Sequence, residues 1–122
     1  MPTSVLALRG AITLEQDERE HLLERVQRLL AEMIERNGLD HDDLISILFT
    51  APPDVHSAFP AAAARAMGLG DVPLICAQEL DIDGAMPLCI RVLMHVGTGR
   101  RRDELRHVYL EGARSLRDDL PE

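Results

Sequence analysis

Rings are scarce in this chain: Phe49, Phe59 and Tyr109 are its only aromatic residues, and there is no tryptophan. A core built without more of them must be aliphatic and modest, because large rings dominate the surface that most cores bury. Thiols are equally few. Cys76 and Cys89 are the two cysteines, and both sit inside apolar stretches. No close thiol pair with histidines completes a set of four ligands, which excludes a zinc centre, and nothing requires a disulfide. No apolar run approaches the length of a membrane helix. The opening MPTSVLALRG lacks a basic segment followed by a long apolar one, so no signal peptide is read and the expected location is cytoplasmic. Positive charge is in deficit as well, with 13 basic against 21 acidic residues for a net charge of -8. That balance excludes nucleic acid, whose phosphates would be repelled, and any anionic ligand must be drawn in by local arginines.

What remains is a folded composition, 46% hydrophobic and 28% charged, with no repeats or low-complexity tracts. At 122 residues it is one domain spanning 1–122. A single core of that size leaves much surface in water, which suits an oligomer. The organising stretch is VPLICAQELDIDGAMPLCIRVLMHV, from Val72 to Val96. In its second half Leu88, Ile90, Val92, Met94 and Val96 alternate with Cys89, Arg91, Leu93 and His95, the period of two that gives a strand two faces. Arg91 therefore points away from the apolar face. A guanidinium in a half-buried strand loses hydration unless an anion meets it. That anion is either Glu79, the nearest candidate across the Asp83-Gly84 turn, or the carboxylate or polarised oxygen of a ligand.

In chain order, Val5 to Arg9 read as a short strand ended by Gly10. Asp17 with Glu20 has the spacing of a capping box, and Thr13 with Gln16 is a competing start. Leu22, Leu23, Val26, Leu29, Leu30, Met33 and Ile34 then recur at three and four, predicting one long amphipathic helix that ends near Asn37-Gly38. Leu44 to Thr50 predict a second strand stopped by Pro52 and Pro53. Pro60 opens a short helix through Ala61–Ala64, Arg65 and Met67, closed by Gly68 and Gly70. Strands follow at Val72–Cys76, Leu88–Val96 and Arg106–Leu110, then a polar tail. The expectation is an α+β domain whose mixed five-stranded sheet is covered on one face by the long helix, with the short helix beside it. The other face is most simply covered by another subunit.

Taken together, Arg9-Gly10-Ala11, Pro53-Asp54 with His56, Phe59-Pro60 and Arg65, Val72-Pro73 with Cys76, Gln78-Glu79, Cys89-Ile90-Arg91-Val92 and Arg106-His107-Val108-Tyr109-Leu110 resemble the monofunctional chorismate mutases of the trimeric α/β-barrel class. The likeness runs from about Leu8 to Leu120. It implies a homotrimeric pseudo-α/β-barrel with active sites in clefts between subunits, and chorismate as the substrate. The implied reaction is the pericyclic rearrangement to prephenate in aromatic amino-acid biosynthesis. Such a reaction needs no nucleophile, proton shuttle, metal or cofactor, only a compact conformer and stabilised charge separation. By the resemblance, Arg91 would donate to the ether oxygen and a substrate carboxylate, and Arg9 and Tyr109 would bind carboxylate. Glu79 and the Cys76 thiol would meet the ring hydroxyl, with Leu74 and Ile75 giving backbone and apolar contact. Phe59, Ala61 and Arg65 would come from the adjacent subunit, and Leu116 and Arg117 would close the cleft. One departure is visible: a lysine carried by part of the family falls on Ala62.

Each residue also has a plainer reading. Arg91 pairs with Glu79 and holds no ligand, Arg9 is a strand-end charge, Tyr109 is a core or interface ring, and Cys76 is a small buried hydrophobe. His56, His95 and His107 read as structural, and Arg100–Arg102 as a solvated loop. Two other functions stay open: a trimer of related architecture that hydrolyses reactive imines, and a carboxylate-binding trimer without chemistry.

Overall fold

The computed structural model describes residues 3–116. Strand β1 (Ser4–Thr13) leads into helix α1 (Arg19–Arg36), then β2 (Leu44–Ala51), the short helix α2 (Ala61–Ala66), β3 (Leu74–Gln78), β4 (Cys89–Thr98) and β5 (Val108–Leu110). The strands form one sheet in the order β3-β2-β4-β1-β5. β4 runs antiparallel to both of its neighbours, while the β1–β5 and β2–β3 pairs are parallel. The α+β class and the mixed five-stranded sheet are as expected. No helix among the described residues is long and apolar enough to cross a membrane.

Alternation decides which face of the sheet is covered. Ile90, Val92, Met94 and Val96 on β4 are buried against Leu22, Val26, Leu29, Leu30 and Met33 of α1 in the main core, so the helix closes this face by its apolar stripe. The end of α1 is a Schellman motif: Gly38 adopts φ +58, the Leu39 amide donates to Ile34 O and the Gly38 amide to Glu35 O. Just before it, the buried Asn37 side chain donates to Arg106 O and accepts from the Arg106 amide. That exchange ties the helix end to the segment entering β5 and so fixes where Tyr109 falls.

Several boundaries differ from expectation for identifiable reasons. β1 does not stop at Gly10 but continues to Thr13. Gly10 lies beneath α1, where an added Cβ would stand 2.5 Å from Met33 Sδ; the residue is small so that the helix can come close. Helix α1 is capped by Glu18, whose carboxylate accepts from the Glu20 and His21 amides, and neither Asp17 nor Thr13 caps it. Asp17 is engaged elsewhere, accepting from the amides of His56 and Ser57. Pro60 precedes α2 as its cap residue. β3 and β4 begin and end slightly later than their apolar runs suggest, and they are not neighbours, since β2 lies between them. Leu88 stays outside β4 in a left-handed conformation, φ +52, with its amide bound to Asp54 Oδ2. What reads as a polar tail is, from Glu111 to Leu116, a 3-10 helix. It lies against the second face of the sheet, where Ala113 packs with Ala11, Cys89 and Tyr109 in a small separate cluster.

Candidate active site

The ladder registers place one row of side chains across all five strands on the face away from α1: Ala77, Thr50, Arg91, Ala11 and Tyr109. Directly opposed residues of a sheet share a face. The residues flanking Arg91 are therefore small, and its guanidinium rises from a shallow trough with Tyr109 at one end. At the other end stands Glu79, just beyond β3. Its Oε2 lies 3.5 Å from Arg91 Nε and accepts from the Thr50 hydroxyl at 3.2 Å. Its Oε1 accepts from the Leu80 amide. Both side chains are over one-third exposed, at 39% for Arg91 and 35% for Glu79, so their attraction is screened and weak as a source of stability. The terminal nitrogens of Arg91 have no partner among the described residues. The Glu79 pairing is therefore present on the Nε edge, and it leaves the terminal nitrogens without a partner among the described residues.

Tyr109 is buried as a ring within the small cluster, yet its hydroxyl makes no hydrogen bond among the described residues. Arg9 stands one row away, opposite Leu93, exposed on the same face, and its backbone amide donates to His107 Nδ1. Ile75 is 61% exposed on this face too, aligned with Leu48 and Leu93. Leu116 packs against the small cluster, whereas Arg117 lies outside the described residues. Cys89 also faces this side; burial pushes its thiol up despite the opposing field of Arg91, which keeps it protonated and unreactive.

The other residues lie on the far side or edge of the sheet. Cys76 is paired with Phe49 on the α1 side and packs against the main core, so its thiol does not share the trough. Leu74 packs there as well, and Ala61 is buried in the same core. Phe59 stands out from the surface at 70% exposure. Together with Arg65, Cys76, Arg19 and His56 it lines a cleft of about 700 Å³ at the ends of β2 and β3. One chain therefore presents two separate features, a cationic trough and an aromatic-basic cleft. Thr50, which orients Glu79, and Arg19, in the cleft, were not singled out from the sequence. The inward position of a threonine at the end of β2, opposite Arg91, carried a signal for the first; only the fold brings Arg19 to α2.

Comparison with known proteins gives this geometry its context. The chain is similar over 117 residues to chorismate mutase AroH of Bacillus subtilis (strain 168), at 43% identity covering 95% of this chain and 92% of that one. It is similar to chorismate mutase AroH of Thermus thermophilus at 44%, covering 95% and 96%. A solved chorismate mutase from Clostridium thermocellum superposes with a TM-score of 0.89 at 45% identity, covering 90% of this chain and 98% of that one. The model of the family chorismate mutase type I matches residues 5–120, so nearly the whole chain, trough and cleft included, belongs to the chorismate mutase type I family.

Proposed function

We propose that the chain converts chorismate to prephenate at a site completed by two copies, the trough of one subunit facing the Phe59 cleft of the next in a cytoplasmic homotrimer. The chorismate mutase activity rests on the family and on relatives of that name. The observation that carries the mechanism is Arg91, half-exposed on a strand with Nε beside Glu79 and its terminal nitrogens without a partner among the described residues. In the trough Arg91 meets the ether oxygen, where negative charge grows as the bond breaks, and this interaction is stronger in the transition state than in the substrate. Arg9 and the Tyr109 hydroxyl take a carboxylate. Glu79, held by Thr50 and the Leu80 amide, accepts from the ring hydroxyl. Cys76, Leu74 and Ile75 contribute through the backbone of β3 and its edge. Phe59 and Arg65 of the neighbouring copy form the second wall, with Ala61 buried behind it and Leu116 and Arg117 closing over the substrate. No side chain transfers a proton, so the site works by selecting a compact conformer and stabilising separated charge.

Assembly as a trimer accounts for the surface around the trough. Val5 and Ile75 are more than 60% exposed, at 63% and 61%; Ile75 aligns with half-buried Leu48 and Leu93, and Val5 lies farther along the same face opposite Gly97, a face that among the described residues the 3-10 helix covers at one end. A large apolar sheet face is expected to find a partner. The test of function is direct: purified protein mixed with chorismate should consume it, followed by absorbance, with prephenate as the identified product. Chorismate left unchanged by folded protein would overturn the proposal and return attention to imine hydrolysis or carboxylate binding.

A further inference from the structure

The cleft beside Phe59 carries two arginines that come from different elements, Arg65 on α2 and Arg19 at the first position of α1. Among the described residues no aspartate or glutamate lines it, in a chain whose net charge is -8. Neither arginine side chain makes an ion pair or hydrogen bond among the described residues. The acids next to Arg19 in sequence form no ion pair with it among the described residues: Asp17 accepts from the His56 and Ser57 amides, and Glu18 caps α1. A cation at the first residue of a helix also faces the positive end of the helix dipole, where it is disfavoured. Two like charges thus line one cleft, neither with an ion-pair partner among the described residues, and one of them stands at an unfavourable position. An arriving anion relieves both repulsions at once.

We infer that Arg19 is a substrate-binding residue, which with Arg65 grips the second carboxylate of the dianion at the solvent-facing edge of the shared site. The inference rests on the two-subunit reading above and adds to it a residue that lies outside the motifs carrying the family resemblance. The trough of one copy takes the reacting end and one carboxylate; the Arg19–Arg65 pair of the next takes the other. Arg19 makes its contact equally in ground and transition states, being remote from the breaking bond, so it governs KM rather than kcat.

The test compares Arg19→Ala, Arg19→Glu, Arg65→Ala and the double variant Arg19→Ala/Ala62→Lys, Ala62 lining the same cleft. Expected for Arg19→Ala is a KM for chorismate raised about two- to fivefold, the range of a solvent-screened ion pair, with kcat and Tm near those of the parent. Arg19→Glu should raise KM further, the dependence of kcat/KM on salt should flatten, and the added lysine should restore part of both. An Arg19→Ala variant with unchanged KM and salt dependence overturns the inference. Should Arg65→Ala then raise KM, the two-subunit reading survives; should it also change nothing, the Phe59 cleft is not a wall of the site and both readings fall.

Discussion

Arg91 and Glu79 meet over an intervening strand: Nε and Oε2 are 3.5 Å apart, although β2 separates β4 from β3. The 79–88 connection, which turns at Asp83-Gly84, does not fold them into a hairpin. The carboxylate reaches back across Thr50, whose hydroxyl holds it. A pair made by a hairpin would move as one local unit, whereas this one depends on the whole β3-β2-β4 order. Glu79 can therefore orient Arg91 without consuming its fork.

Replacing Gly10 by Ala tests how closely the sheet and helix are coupled. The new Cβ would stand 2.5 Å from Met33 Sδ and 3.3 Å from Leu29 Cδ1. Overpacking of this kind costs about 1–3 kcal/mol, so thermal unfolding should show a Tm lowered by several degrees. Met33→Ala in the same background should not recover full stability, since it trades the clash for a cavity. An unchanged Tm in Gly10→Ala would show that the helix can move aside freely.

Asp17 ties the start of α1 to the loop before Phe59, and this makes its contribution pH-dependent. The Ser57 side chain beside it and the bonds donated by the His56 and Ser57 amides hold its carboxyl below the ordinary carboxylate range despite some desolvation. A lowered folded-state value means stability that is present above the ordinary carboxylate pKa of about 4 and lost as pH falls through the folded value. Asp17→Asn keeps one acceptor and confronts the second amide with an NH2 group. At neutral pH the variant should unfold at lower denaturant concentration than the parent. The gap should narrow below pH of about 4 as the parent protonates. A gap that is constant through the acid range would contradict this account.

These cases mark what the sequence made legible. The alternation Ile90, Val92, Met94, Val96 against Arg91 and Leu93 gave β4 its faces, because a period of two survives any tertiary context. The recurrence from Leu22 to Ile34 gave α1 for the same reason. Gly10 was misread because a glycine that admits a close helix looks, in one dimension, like a glycine that ends a strand. Asp17 and Glu18 are both competent caps, and the choice was made by His56 and Ser57, some forty residues away. The tail looked merely polar, yet Glu111 accepts from Arg28 and lies 3.6 Å from Arg25, and the Gly112 amide donates to Thr13 Oγ1. Those partners fix a 3-10 helix that no local pattern announces. Of the site residues, Arg91, Glu79, Arg9 and Tyr109 come together on one face, while Cys76 follows the opposite parity along β3.

Shared sites can be tested by complementation. Arg91→Ala removes the trough cation and Arg65→Ala weakens the opposite wall, so each homotrimer should be impaired. If one site takes its two halves from neighbouring copies, mixed and reassembled trimers should regain intact sites, about a quarter of them under random assortment. Sedimentation of the mixture checks that trimers form. Activity no greater than the average of the two parents, or a fully active monomer, would contradict a site built between subunits.

The most direct measurement replaces Arg91 by citrulline, which keeps length and planar hydrogen bonding but removes the charge. If Arg91 stabilises charge that appears on the ether oxygen only as the bond breaks, kcat should fall by two to three powers of ten, on the order of 3 to 4 kcal/mol. Tm should stay near that of the parent, because the pair with Glu79 is exposed and screened. The predicted result is a folded trimer that binds chorismate and turns it over very slowly. A folded citrulline variant with the parent's kcat would contradict the account at its centre.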